Sequence, residues 1–265
     1  MTRLPARNYG NTAVPNVARM YDVLLGGTDN FTADRQAAEQ ILVAVPDGRA
    51  VAQANRDFVQ RAVRFMAASG IAQFIDLGAG IPCGPAIHDA ARTIIPAARV
   101  VYVDANPVVC THWQALLAGD DEAVAVMADI RDPGAILTHP ELNRLISFTQ
   151  PVGVLFTAVL PFIGDAGADA SVAAFRPRMC PGSMLAISHV TSDGTPPEVI
   201  TGLQDVYSPA GTHLAFRARA TIETFFGDFK LARPGLVDVA EWPDPRGVLV
   251  SATLRTAAGV AQVRA

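Results

Sequence analysis

Three acidic residues and a run of glycines carry the first chemical signal in this 265-residue chain. The stretch Phe74-Ile75-Asp76-Leu77-Gly78-Ala79-Gly80-Ile81-Pro82-Cys83-Gly84 lies where a short apolar run gives way to a helical pattern. Glycines at such a turn let the backbone approach a bound molecule, and open parallel sheets hold ligands at the carboxyl ends of their strands. Taken alone, Gly78-x-Gly80-x-x-x-Gly84 also fits a dinucleotide phosphate loop, with pyrophosphate on a helix N-terminus, or a tight turn with no ligand. Asp76 separates the two ligand readings. Two residues ahead of the first glycine, it aims a carboxylate at the loop mouth, which repels a pyrophosphate and attracts an ammonium group.

Asp104 closes the run Val100-Val101-Tyr102-Val103-Asp104, where a carboxylate can accept both hydroxyl protons of a ribose. It can equally cap a helix ahead of Asn106 and Pro107, and the two roles are compatible. Asp129 follows the next run in Met127-Ala128-Asp129-Ile130-Arg131. Its carboxylate can accept from an exocyclic amine while the Ile130 N–H donates to a ring nitrogen, a pair of groups that adenine presents. The plain alternative is a polar loop. Acids at three successive strand ends, spaced as ammonium, ribose and adenine contacts, form a constellation that chance seldom provides.

The elements that must hold these acids in place are visible in the pattern of apolar residues. Helical spacing covers 16–25, 32–45 and 52–68, punctuated by Gly26-Gly27 and Pro46-Asp47-Gly48. After Gly70 short apolar runs at 73–77, 99–104, 123–128, 152–159 and 183–190 alternate with helix-length segments at 84–94, 107–117, 134–148 and 166–179. That alternation predicts a Rossmann-like, doubly wound parallel α/β sheet. Two more helices are expected at 198–207 and 221–226, and two strands at 236–242 and 248–255. The connection Pro243-Asp244-Pro245-Arg246-Gly247 is too short for a parallel crossover, so those strands should pair antiparallel and bring the total to seven. The expected organisation is an N-terminal helical cap or lid over residues 1–70, a core over 71–255 and a loose tail over 256–265.

Half of the residues are apolar and 17% are charged, which excludes a disordered or fibrous chain. Twenty-one Lys and Arg against 25 Asp and Glu give a net charge of −4, no field for a nucleic-acid backbone. Cys83, Cys110 and Cys180 are odd in number and lack a Cys-x-x-Cys spacing, which argues against a disulfide framework or a zinc site and for a cytoplasmic location. No apolar run approaches the roughly 20 residues of a membrane span, so neither membrane nor nucleic acid is an expected partner.

Two further motifs, Val17-Ala18-Arg19-Met20-Tyr21-Asp22-Val23-Leu24-Leu25-Gly26-Gly27-Thr28-Asp29-Asn30-Phe31 and Ala54-Asn55-Arg56-Asp57-Phe58, add a resemblance. With the three acids and the glycine loop, they make the chain resemble a bacterial S-adenosyl methyltransferase family first catalogued as a domain of unknown function. The similarity runs from about Pro15 to the final strand. It implies a class I methyltransferase fold with S-adenosyl-L-methionine as cofactor, and contacts from Asp76, Gly78, Ala79, Gly80, Asp104, Ala105, Asp129 and Ile130. Asn55 and Arg56 are candidates for the cofactor carboxylate, Arg56 through a charge-assisted bond, with a solvated helix face as the alternative. The family would place an Ala-Val-Leu-His-Phe type sequence after the fourth strand, where this chain has Ala158-Val159-Leu160-Pro161-Phe162.

Methyl transfer needs alignment and exclusion of water more than catalytic side chains, although an acceptor that carries a proton can need a base. Tyr21, Asp22 and His189 are the candidate catalytic residues, with His213 a further possible base. Tyr21, Asp22 and the Gly26–Asn30 stretch could form a lid over cofactor and acceptor. The other histidines and Cys83 read as structural, and no spacing suggests a metal. Absence of an Asp/Asn-Pro-Pro-Tyr/Phe sequence after the fourth strand disfavours methylation of nucleobases and amides. The expected acceptor is a small molecule, with Tyr207, Phe216, Phe225 and Phe226 as candidate lining. Two rivals are a nicotinamide-dependent oxidoreductase, motivated by the glycine spacing, and a non-catalytic regulator that binds S-adenosylmethionine.

Overall fold

The structure is a computed structural model, which describes residues 10–244, 251 and 253–264. Three helices come first: α1 (Val17–Leu24), α2 (Thr32–Ala44) and α3 (Gly48–Ala68). The alternating region follows as β1 (Gln73–Leu77), α4 (Ile87–Arg92), β2 (Arg99–Asp104), α5 (Pro107–Leu116), β3 (Ala123–Met127), α6 (Pro133–Leu137), α7 (Pro140–Leu145), β4 (Gly153–Thr157), α8 (Asp165–Phe175) and β5 (Met184–Val190). The chain ends with α9 (Pro197–Tyr207), α10 (Arg219–Thr224), β6 (Lys230–Leu231), β7 (Val237–Asp238) and β8 (Thr256–Gln262).

These strands form one sheet in the order β3-β2-β1-β4-β5-β8-β6, with β7 also paired to β8. The five strands from β1 to β5 run parallel, and β8 lies antiparallel along all of β5. This is the doubly wound α/β sheet with an antiparallel last strand that the sequence predicts. Eight strands rather than seven appear because the flank of β8 is covered by two separate two-residue strands, β6 and β7.

Side-chain alternation along each strand divides the core into two layers. On one face Phe74, Val100, Tyr102, Leu155 and Ala186 pack against α3, α4 and α5. On the other, Ile75, Val101, Phe156, Leu185 and Ile187 pack against α6, α7 and α8. A third cluster joins α1, α2 and α9 through Met20, Ile41 and Leu203. The α1–α2 pair is fixed by a buried Arg19–Asp34 ion pair at 2.7 Å, and Asp34 also accepts from the Phe31 and Asn16 N–H groups. Far along the chain, Arg61 on α3 donates to the Trp242 and Val239 carbonyls, while Trp242 meets Phe58 and Phe65 edge-on.

Three expectations need correction. The helix predicted over 84–94 starts only at Ile87, because Gly84 takes φ +71°, outside helical space. The helix predicted over 134–148 divides into α6 and α7 at Pro140, which lacks an N–H; His139 caps the second piece through the Glu141 N–H. The third concerns the chain end. Residues 248–250 and 252 of the strand predicted over 248–255 lie outside the described residues, and 253–255 are not paired as a strand. The strand is instead 256–262, which was expected to be loose.

Composition explains that error. Ala257, Ala258, Gly259 and Ala261 have little apolar bulk, so the segment reads as a polar-like tail, yet Ala257, Ala258, Val260 and Ala261 are fully buried. The crowding requires small residues. A Cβ at Gly259 would already touch the Gly235 carbonyl and the Leu231 and Leu236 side chains at 3.4 Å. Truncating the chain after Arg255 should therefore abolish cooperative thermal unfolding, whereas removal of a merely loose tail would leave the melting temperature where it was.

Candidate functional site

One cavity of about 490 Å³ opens over the carboxyl ends of the parallel strands and extends under α1, α3 and α9. The glycine loop forms one wall. Gly78 N–H and Ala79 N–H both donate to the Val103 carbonyl, Gly80 N–H donates to Asp104 Oδ2 at 3.0 Å, and Trp113 Nε1–H donates to the Gly80 carbonyl at 2.8 Å. Gly78 has φ +76°, and a Cβ there would lie 2.3 Å from Val159 Cγ2, so its lack of a side chain serves the packing of the β4 tip as well as the cavity. Gly80 has φ +65° and no atom within 4 Å of where a Cβ would stand. Irregular chain separates this loop from α4, so no helix N-terminus stands ready for a pyrophosphate.

Asp76 points from β1 into this cavity and is 4% exposed. Among the described residues its carboxylate has no hydrogen-bond partner. Burial pushes its pKa up to about 6, against the attraction of Arg56 and with the repulsion of Asp104. Asp104 accepts from the Gly80 and Asn106 N–H groups, yet burial still raises its pKa. Asp129 lies at the next strand end, where it is paired with Arg131 through several contacts, including the Arg131 N–H and Nε–H at 2.9 Å. Ala105 and Ile130 line the same region.

Helix α3 contributes Asn55 and Arg56. Arg56 Nη2 donates to the Cys83 and Pro85 carbonyls, which anchors the far side of the glycine loop to the helix. Asn55 lies in a chain of hydrogen bonds beneath the cavity. Its Nδ2 donates to the Tyr21 hydroxyl (2.9 Å), which donates onward to the Ala52 carbonyl (3.1 Å), while its Oδ1 accepts from the Ser188 hydroxyl at 2.5 Å. Ser188 in turn accepts the Ala158 N–H at 3.0 Å. Ala158 has φ 53°, a left-handed conformation that costs a non-glycine residue about 1 kcal/mol, at the cavity wall. This network holds that turn.

The structure brings Tyr21, Asn55, Arg56, Asp76, Gly78, Ala79, Gly80, Asp104, Ala105, Asp129 and Ile130 to one cavity. It does not bring Asp22 or His189 there. Asp22 lies buried against the α1–α2 turn, accepts from Asn30 Nδ2 and leaves no room for a side chain at Gly27, where a Cβ would fall within 2 Å of its Oδ1. His189 is one residue out of phase: Ala186 and Ser188 face α3, so Ile187 and His189 face the opposite layer. There its Nδ1–H donates to the Val190 carbonyl and its Nε2 accepts from Arg217. Burial and, less strongly, Arg217 push its pKa down to about 4, so it is neutral at physiological pH.

His213 is exposed beside the cavity without lining it. Tyr21 is held protonated, since burial raises its pKa. Cys83 is likewise pushed up, chiefly by burial. Of the four aromatic candidates, Tyr207 lines the cavity, whereas Phe225 and Phe226 belong to the opposite layer and Phe216 packs on the third cluster. Sequence reasoning missed Ser188, whose local signal is a polar residue late in an otherwise apolar run. Among the described residues no group of His, Cys, Asp and Glu could hold a metal ion, and no helix is long and apolar enough to cross a membrane.

A parallel sheet continued by an antiparallel strand, with a glycine loop and acids at successive strand ends, defines a class I methyltransferase-like protein. The family model described as S-adenosyl methyltransferase matches residues 5–264. The chain belongs to that family, and S-adenosylmethionine is its cofactor. It is similar to a solved structure from Thermobifida fusca YX described as a candidate methyltransferase, with 36% identity, TM-score 0.90 and full coverage of both chains. It is also similar to a DUF574 family protein from Streptomyces avermitilis, with 34% identity, TM-score 0.88 and coverage of 95% of this chain and 98% of that one. An O-methyltransferase family protein from Burkholderia thailandensis shares the fold at 13% identity and TM-score 0.54, covering 83% of this chain and 58% of the other. No curated protein matches. Family membership sets aside the nicotinamide-dependent reading.

The unpartnered Asp76 has a consequence for stability. Its pKa rises from an ordinary 3.8 to about 6 on folding, so the folded state binds more protons than the unfolded one between those values. Stability contributed by this group therefore falls as pH rises from about 4 to 6, by about 3 kcal/mol. Ligand-free Asp76→Asn should melt several degrees above the parent at pH 7.5, and the gap should close near pH 4, both measurable by calorimetry.

Proposed function

We propose that this chain transfers a methyl group from S-adenosylmethionine to a small-molecule acceptor held in the same cavity. The observation that carries the reading is the buried, unpartnered carboxylate of Asp76 at the head of a cavity that continues into an apolar chamber. A largely buried carboxylate on a cavity wall favours a cation beside it. The amino group of the cofactor supplies one. Asp104, oriented by the Gly80 and Asn106 N–H groups, would accept from the ribose hydroxyls. Arg56 has Nε and Nη1 without hydrogen bonds among the described residues, and these would meet the cofactor's carboxylate. The Ile130 N–H would serve the adenine ring, with Asp129 sharing its carboxylate between Arg131 and the exocyclic amine.

When bound, S-adenosylmethionine supplies an electrophilic methyl group on a positively charged sulfur. The protein's part is to align and to exclude water. Tyr21 on α1 and Asn55 on α3 brace the floor, and Ala158 and Val159 present the β4 tip. The candidate bases give no support to general-base catalysis: His189 lies on the other face of the sheet with its Nε2 engaged by Arg217, Asp22 and His213 do not line the cavity, and Tyr21 holds its proton. The favoured acceptor nucleophile is therefore one that needs no side-chain base, or that loses its proton to water. A cavity walled by helices, in a chain of net charge −4, favours a small molecule over a nucleic acid.

Isothermal titration with S-adenosylhomocysteine tests the cofactor site. Asp104→Asn and Asp76→Asn should each weaken binding at least tenfold, in line with the roughly 1.5–3 kcal/mol of a charged hydrogen bond. Because Asp76 titrates near 6, the parent's affinity should fall as the pH is lowered through that value. Heat with neither S-adenosylmethionine nor S-adenosylhomocysteine, from well-folded protein, would end the proposal.

A further inference from the structure

Away from the acidic residues, the cavity is walled by Leu24, Ile41, Phe162, Leu203, Leu214 and Leu254, which form an apolar chamber. All six belong to, or pack on, the cluster that joins α1, α2 and α9. The charged residues lining the cavity are Arg19, Arg56, Asp76, Asp104, Asp129 and Arg131. Five come from the glycine loop, its α3 anchor and the strand ends beside it, and Arg19 follows Asn16, which touches Asn106. Among the described residues the chamber itself therefore presents no charge.

One hydroxyl interrupts its apolar wall. Tyr207 is 8% exposed and its hydroxyl makes no hydrogen bond among the described residues; burial raises its pKa, so it stays protonated and able to donate. Neighbouring hydroxyls are already engaged: Tyr21 with Ala52 and Asn55, Thr212 with the Ala210 carbonyl. Buried polar atoms are normally paired, and an unpaired hydroxyl on a cavity wall marks where a ligand's polar atom would sit. A charged ligand would lose its hydration here without meeting a counter-charge.

We propose that this chamber is a subsite for an uncharged, mainly apolar small molecule that bears a hydroxyl or carbonyl oxygen, held by the Tyr207 hydroxyl. The inference rests on the methyl-transfer reading only in taking that molecule to be the acceptor. Tyr207 reaches it from the last turn of α9.

Titrating 2-naphthol and 2-naphthoate into protein saturated with S-adenosylhomocysteine tests the charge rule without any variant. The neutral probe should bind, and the anionic one should bind at least tenfold more weakly. Tyr207→Phe removes the hydroxyl at nearly constant shape and should weaken 2-naphthol about fivefold, while S-adenosylhomocysteine affinity stays within twofold. Equal or tighter binding of 2-naphthoate, no binding of 2-naphthol, or unchanged 2-naphthol affinity in the folded variant would each overturn the subsite. Should S-adenosylhomocysteine fail to bind, the cofactor reading falls instead, and the same two probes titrated into the protein alone decide the subsite.

Discussion

A carboxylate buried without a partner is the constraint around which this site is built. Burial raises the Asp76 pKa, and of the neighbouring groups Arg56 opposes that shift. Such a position survives because the rest of the sheet over-determines it. Residues 74–76 are paired on both sides, to β2 and to β4, so the backbone cannot turn the side chain away. The Asp104 carboxylate anchors the Gly80 N–H, and Val159 packs where any side chain at Gly78 would stand. Loop, acid and strand tip thus specify one another.

The N-terminal helices are bound into the same arrangement by polar contacts. Tyr21 on α1, Asn55 on α3 and Ser188 on β5 form a single hydrogen-bonded row that ends on the left-handed Ala158. Few backbone positions link three layers so directly. Arg56, one residue further along α3, holds the Cys83 and Pro85 carbonyls, so the helix fixes both the floor of the cavity and the outer arm of the glycine loop. Any displacement of α3 would therefore reach the β4 tip and the loop together, which favours a rigid floor; whatever motion admits ligands falls to the elements that lie outside this row.

Much of the fold could be read from the chain because buried parallel strands are short apolar runs with sharp ends: β1 and β2 begin and end at the residues where their runs do. The acids at those ends were equally visible, since a carboxylate directly after a Val- and Ile-rich run has few other reasons to be there. What composition hid was phase and partnership. His189 looked like a base at a ligand-side strand end, yet only the alternation through Ala186 and Ser188 decides the face, and a polar residue stands on each side of the sheet there. Asp22 looked functional within a distinctive motif, but its distinctiveness comes from the Gly27 and Asn30 contacts that close the turn. No local pattern announces a partner eight residues away.

The end of the chain shows why weak local signals can matter most. A strand in the middle of a sheet needs neither bulk nor strong propensity when its neighbours cover both faces; it needs to be narrow. Between β5 on one side and β6 with β7 on the other, Ala257-Ala258-Gly259-Val260-Ala261 is narrow enough, and its hydrogen bonds to β5 run the full length of that strand. Thr256 then stands where β8 meets the cavity, opposite Val190, another residue of the lining. The same small-residue segment that closes the sheet thereby carries one residue of the chamber wall. Structure and recognition are joined there by geometry, because the sheet cannot be completed without placing that residue beside the ligand space.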